Sequence, residues 1–119
     1  YLPHTYGKHC ACYAGTHDNT TVDGWFREVA EEDVAFAVRY LGLNEQEGRV
    51  WGILRGGMGS VAQLFLAQMQ DYLGLSSENR MNTPGTLGGG NWRWRMLPGE
   101  FDEALIAKIA EMTRIYGRI

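Results

Sequence analysis

Small and apolar residues occupy both faces of His9-Cys10-Ala11-Cys12-Tyr13, the pattern of a strand covered on both sides in a parallel sheet. The run opens directly into Ala14-Gly15-Thr16-His17-Asp18-Asn19-Thr20-Thr21, where a glycine is followed by polar, hydrogen-bonding side chains. From Trp25 the periodicity turns helical. Glu31, Glu32 and Asp33 suit a first turn, Val34, Phe36, Ala37, Val38, Tyr40 and Leu41 follow, and Gly42 is a stop. Glu45 to Met58 sets Val50, Trp51, Ile53 and Leu54 on a helical stripe that breaks at Gly56-Gly57 and Gly59, glycines that allow close packing before Ser60 restarts the chain. Val61 to Met69 is apolar except at Gln63 and Gln68, and its later half predicts a second buried strand ending at Asp71. Ser76 to Trp94, with Pro84, Gly85, Gly88, Gly89 and Gly90, predicts a loop, and long loops inside compact domains are usually functional. Phe101 to Tyr116 is the clearest helix, with Ala104, Leu105, Ile109, Met112 and Ile115 near 3.6-residue spacing and Asp102 and Glu103 in its first turn. The order strand, helix, helix, strand, loop, helix fits a βαβα unit of a parallel α/β protein.

Composition narrows the class. The 119 residues are 45% hydrophobic and 12% aromatic, enough for one small core. A net charge of -3 lacks the basic footprint of a dedicated nucleic-acid binder. No apolar run approaches the roughly 20 residues of a membrane span, and no signal-peptide pattern is present. The start at Tyr1 reads as an excised or processed piece. Cys10 and Cys12 are too close for an ordinary disulfide and read as buried thiols of a reducing, cytosolic compartment. A zinc site from these with His4, His9 and His17 would need a second knuckle that the chain lacks, so no metal and no cofactor is expected.

The remaining chemistry concentrates beyond the first strand, because loops at the carboxyl ends of parallel strands carry function. Asp18 after a histidine can bind paired hydroxyls, hold a metal or orient an imidazole. Equally, Asp18 and Asn19 can make an Asx turn or cap the next helix. A triad of Ser60, His17 and Asp18 lacks a nucleophile elbow, and adjacent His and Asp side chains at a strand end are expected to diverge. Pro84 to Asn91 lacks the Gly-Lys-Ser/Thr ending of a phosphate loop. Trp92-Arg93-Trp94-Arg95 interleaves cations with aromatic faces, which can stack bases or sugar rings or fill a core. For glycosidic chemistry, two acids are required about 5–10 Å apart. Only Asp18 and Asp71 stand at predicted strand ends, so the chain holds part of a site.

Taken in order, Tyr13-Ala14-Gly15-Thr16-His17-Asp18-Asn19 with Gly24-Trp25, Gln70-Asp71-Tyr72-Leu73-Gly74-Leu75, Arg80-Met81-Asn82-Thr83-Pro84-Gly85-Thr86 and Gly90-Asn91-Trp92-Arg93-Trp94-Arg95 resemble the C-terminal part of the 4-alpha-glucanotransferases. These are also called amylomaltases or disproportionating enzymes, glycoside hydrolase family 77. The resemblance covers nearly the whole chain.

It implies that residues 1–119 are a single fragment, the C-terminal quarter of a (β/α)8 TIM barrel, with about two parallel strands and surrounding helices. Cys10 to Ala14 would lie on the seventh strand and the region before Asp71 on the eighth. It implies transfer of α-1,4-glucan segments to the 4-hydroxyl of an acceptor glucose or glucan by a retaining double displacement. Asp18 would be the carboxylate that grips the 2- and 3-hydroxyls of the sugar at the cleavage point, stabilising the transition state. His17 would hydrogen-bond the same sugar, Asn82 would hold substrate near the break, and Trp92 and Arg93 would shape that wall. The nucleophilic aspartate and the acid/base glutamate belong to earlier strands, so the fragment alone is expected to be inactive. Thr20 departs from many relatives, which carry an acidic residue there. The implied partners are maltooligosaccharide donors and acceptors, in the cytoplasm or, for a plant or algal parent, the plastid. Unpaired edges predict self-association of the isolated fragment. The rival reading is a stand-alone carbohydrate- or single-stranded nucleic-acid-binding module using residues 92–95.

Overall fold

In the computed structural model, which describes residues 2–119, strand β1 (Ala11–Tyr13) lies parallel to β2 (Leu64–Leu66). The register pairs Ala11 with Leu64, Cys12 with Phe65 and Tyr13 with Leu66. Three helices connect them: α1 (Val22–Glu28), α2 (Glu31–Leu41) and α3 (Arg49–Met58). After β2 come the single turn α4 (Met69–Tyr72), a 3-10 turn at Ser77–Asn79, a long irregular stretch, and α5 (Glu103–Ile115). The α/β character with two parallel strands agrees with the sequence expectation. Among the described residues no helix is long and apolar enough to cross a membrane.

Helix α3 is the hub, packed against α1, α2, α4 and α5. Leu54 at its centre is fully buried, and Met58, Ala62, Leu43, Val22 and Cys12 are the other buried apolar side chains among the described residues. Its glycines make the close approach possible. A Cβ on Gly56 would run into the Leu41 side chain, and one on Gly57 into the Phe65 ring of β2. The helix therefore passes through Gly56-Gly57, where the sequence pattern places a break, and stops at Gly59, the other expected break. Lys108 lies 3.9 Å from the centre of the Trp51 ring, a cation–π contact joining α5 to the hub. Arg118 donates to the carbonyls of Met58 (2.7 Å) and Ser60 (3.0 Å), satisfying acceptors at the end of α3.

Element boundaries follow from local chemistry. The helical pattern from Trp25 is two helices, because Val29 and Ala30 are extended. Thr21 starts the first by accepting from the Gly24 N–H at 3.2 Å. Acidic residues crowd the first turn of α2, and Gly42 ends it in the left-handed region at φ 65°. Asn44 closes a turn before α3, where Gly48 takes φ 89° and delays the helix to Arg49. Asp102 caps α5 by accepting from Leu105 at 2.8 Å, so it precedes the first turn instead of lying within it.

Two expectations about the strands are corrected. The second strand ends at Leu66, not Asp71, because Asp71 and Tyr72 N–H groups turn back to the Gln68 carbonyl and form α4. Nor are the strands covered on both sides. Cys12 is buried and Phe65 faces α3, but Tyr13, Leu64 and Leu66, on the opposite face, are exposed.

Candidate functional site

β1 hands over to the polar loop through Ala14, whose N–H donates to the Leu66 carbonyl (3.1 Å), so the loop leaves from the carboxyl ends of both strands. Gly15 sits where a Cβ would lie 3.2 Å from Gln68 Nε2, and Gln68 donates that amide to the Thr16 carbonyl. A tight turn follows. The Asn19 side-chain oxygen accepts from the Thr16 N–H (2.8 Å) and hydroxyl (3.0 Å), while the Asn19 N–H donates to the Thr16 carbonyl (3.0 Å). The turn-forming role thus belongs to Asn19, and the Asp18 carboxylate is left for other contacts.

Those contacts are long-range. Asn82 Nδ2 donates to Asp18 Oδ1 at 2.9 Å across 64 positions of sequence. His17 Nε2 lies 3.4 Å from Asp18 Oδ2. Both side chains remain about half exposed, at 56% for His17 and 52% for Asp18, so the carboxylate faces open space while being oriented from two sides. The turn makes the neighbouring His and Asp converge, contrary to the divergence expected of an extended strand end. All three sequence-predicted site residues, His17, Asp18 and Asn82, therefore meet at one point.

A second stretch lies alongside and fixes this geometry. The Asn82 N–H donates to the His17 carbonyl (3.1 Å). Arg80 spans both stretches, Nη2 donating to the Asp18 carbonyl and Nε to the Asn82 carbonyl, each at 2.9 Å. Trp92 completes the wall, its N–H on the Met81 carbonyl (2.6 Å) and its ring centre 5.1 Å from that of His17. Residues 83–91 close on themselves through Asn91, which accepts from the Thr83 N–H (2.9 Å) and donates to the Thr86 hydroxyl (2.8 Å). Arg93 and Arg95 are exposed and, among the described residues, form no ion pair.

Asp71, the other acid expected at a strand end, is not part of the opening. It is 1% exposed, and its Oδ1 accepts from the Val22 N–H at 2.8 Å, fastening the start of α1 to α4. Burial raises its carboxyl pKa, and the Val22 hydrogen bond opposes that rise. The Tyr72 hydroxyl is pushed up as well, first by burial and then by the Asp71 charge. Ser60 also lies apart, its hydroxyl buried and its carbonyl held by Arg118. Cys10 and Cys12 are free thiols, and among the described residues no three His, Cys, Asp or Glu side chains gather into a cluster. Gln68 and Arg80 were not singled out from sequence as site residues. Their signal was faint: Gln68 is a polar break in an apolar run, and Arg80 stands two residues before Asn82.

Comparison with known proteins bears on this arrangement. The family described as 4-alpha-glucanotransferase matches residues 1–100. The chain is 49% identical over 119 residues to the 4-alpha-glucanotransferase of Clostridium butyricum, covering 99% of this chain and 24% of that one. It is 41% identical over 126 residues to the Thermus thermophilus 4-alpha-glucanotransferase, covering 100% of this chain and 25% of the relative. The chloroplastic/amyloplastic 4-alpha-glucanotransferase of Solanum tuberosum is 38% identical over 122 residues, at 100% and 21% coverage. Among solved structures, an amylomaltase from Streptococcus agalactiae in complex with acarbose superposes with a TM-score of 0.92 at 38% identity, over 97% of this chain and 23% of that one. The chain spans about a quarter of the length of these relatives.

Proposed function

This chain belongs to the 4-alpha-glucanotransferase family, and we propose that it supplies the sugar-gripping wall of an enzyme that moves α-1,4-glucan segments onto the 4-hydroxyl of glucose or another glucan. The observation that carries this reading is the Asn82-oriented Asp18 carboxylate, open to solvent beyond the ends of two parallel strands.

A carboxylate so placed can accept two hydroxyl hydrogen bonds from one sugar ring. Such bonds strengthen as the ring flattens toward an oxocarbenium ion, so Asp18 favours the transition state over the ground state. His17 donates to the same sugar, and Asn82 holds both Asp18 and the substrate near the break. The nucleophile and the acid/base that complete a retaining double displacement come from outside residues 1–119, and the chain by itself is inactive.

The same reading makes residues 1–119 the C-terminal quarter of a (β/α)8 barrel. Leu64, Leu66 and Tyr13 then point into the barrel, and Cys12 and Phe65 toward the helices. A groove of about 440 Å3 beside β1, lined by Tyr6, Cys12, Trp25, Phe36 and Tyr40 among others, supports a neighbouring unit docking there. Separated from that unit, the fragment self-associates through its open edges. The enzyme works in the cytoplasm, or in the plastid of a plant or alga. The stand-alone binding-module reading gains nothing from the geometry, since Trp92 turns toward His17.

The test is Asp18→Asn in the intact enzyme, incubated with maltotriose while glucose release is followed. Transfer should fall by about 10²- to 10³-fold, the scale for losing one transition-state contact, with glucan binding still measurable. Near-normal turnover would remove Asp18 from this role.

A further inference from the structure

Among the described residues Trp92 alone of the non-glycines has a positive φ, at 61°. The left-handed region brings an L-residue's Cβ close to its own backbone, so a bulky side chain there is a real outlier. The same stretch uses glycine for its other left-handed positions, Gly85, Gly88 and Gly89. Burial does not explain the exception, because Trp92 is 61% exposed. What the conformation achieves is placement. The Trp92 N–H is tied to the Met81 carbonyl at 2.6 Å, Asn91 pins the preceding turn to Thr83 and Thr86, and the indole is thereby set against the His17 imidazole, ring centres 5.1 Å apart and planes at 39°.

We propose that Trp92 is a positioning residue: its strained backbone holds the indole as a stop for the His17 ring, keeping Nε2 turned toward Asp18 and the sugar. This rests on the reading of His17 and Asp18 as sugar contacts. The His17 carbonyl is already fixed by Asn82, so the free variable is the side-chain rotamer of a half-exposed imidazole. The indole on one side and the Asp18 carboxylate 3.4 Å away on another remove that freedom. Local strain kept for placement, not for packing, is the pattern expected where geometry serves function.

The proposal makes stability and activity move in opposite senses. In the intact enzyme, Trp92→Gly relaxes the backbone at φ 61°, so its thermal midpoint should equal or exceed that of the parent. Its kcat for glucose release from maltotriose should nevertheless fall by about 10- to 100-fold, the scale of a small misplacement at the reacting centre, with KM little changed. Trp92→Phe keeps a ring against His17 and should recover most of the turnover. A lowered midpoint in Trp92→Gly would show that the indole is ordinary packing and overturn the proposal. So would parental turnover in that variant, or a Phe variant no better than Gly. If the unmodified enzyme releases no glucose, the functional reading fails on its own, and the midpoint still decides whether Trp92 is strained.

Discussion

Asp71→Ala tests whether the loop bearing His17 and Asp18 is fastened from below. The carboxylate is 1% exposed and accepts from the Val22 N–H at 2.8 Å, across 49 positions of sequence. Removing it leaves that N–H, on a buried residue, without its acceptor. An unsatisfied buried donor costs about 1–3 kcal/mol. The offset is relief of a buried charge, since Asp71 Oδ2 has no partner among the described residues. After that offset a net loss of about 1 kcal/mol is expected at neutral pH, measured by urea unfolding of the intact protein. Asp71→Asn keeps an oxygen for Val22 and separates the two contributions. Because the folded protein raises the Asp71 pKa through burial, folding favours the protonated acid. Its contribution is fully present below the unfolded value near 3.9 and is lost as pH rises through the raised folded value. The Asn variant should therefore gain on the parent as pH rises through that window. Parental stability in Asp71→Ala, or a parent–Asn difference that does not move with pH, would refute the reasoning.

Gly57→Ala should lower stability by about 1 kcal/mol, since overpacking of about 1–3 kcal/mol outweighs a helix-propensity gain near 1 kcal/mol. The added methyl meets the Phe65 ring, two of whose atoms would stand 2.8 and 2.9 Å away. A gain in urea resistance would mean that α3 and β2 have room to spare. Arg80→Ala removes both 2.9 Å hydrogen bonds that join the Asp18 and Asn82 carbonyls. It should reduce kcat/KM for glucose release by about tenfold, and Arg80→Lys, which has no planar fork, should restore only part of it. Full activity in Arg80→Ala would show that Asn82 alone aligns the wall.

The elements that could be read from residue order are those with strong local signals. Gly42 after an apolar stripe marked the end of α2, and the 3.6-residue spacing from Phe101 to Tyr116 marked α5 to within two residues at either end. What misled was context. Gly56-Gly57 looked like a break because glycine disfavours helix, yet tertiary contact with Leu41 and Phe65 uses the missing methyls. The second strand looked longer because an apolar run does not state where the backbone turns, and Gln68 does that through its carbonyl. At the site, His17, Asp18 and Asn82 were legible through the resemblance. Their convergence was not, since it depends on the Asn19 turn and on contacts spanning more than 60 positions.

The wall around Asp18 has no independent halves. Residues 16–22 and residues 68–82 each present polar groups whose counterparts sit in the other stretch: Thr16 with Gln68, Val22 with Asp71, Asp18 with Arg80 and Asn82. Three of these pairings meet main-chain groups of the first stretch, at Thr16, Val22 and Asp18, which any parent supplies, so recombination with a relative keeps them wherever Gln68, Asp71 and Arg80 are retained. A crossover placed within the intervening helices would leave every peptide continuous and put a single side-chain pair, Asp18 with Asn82, at the mercy of the second parent.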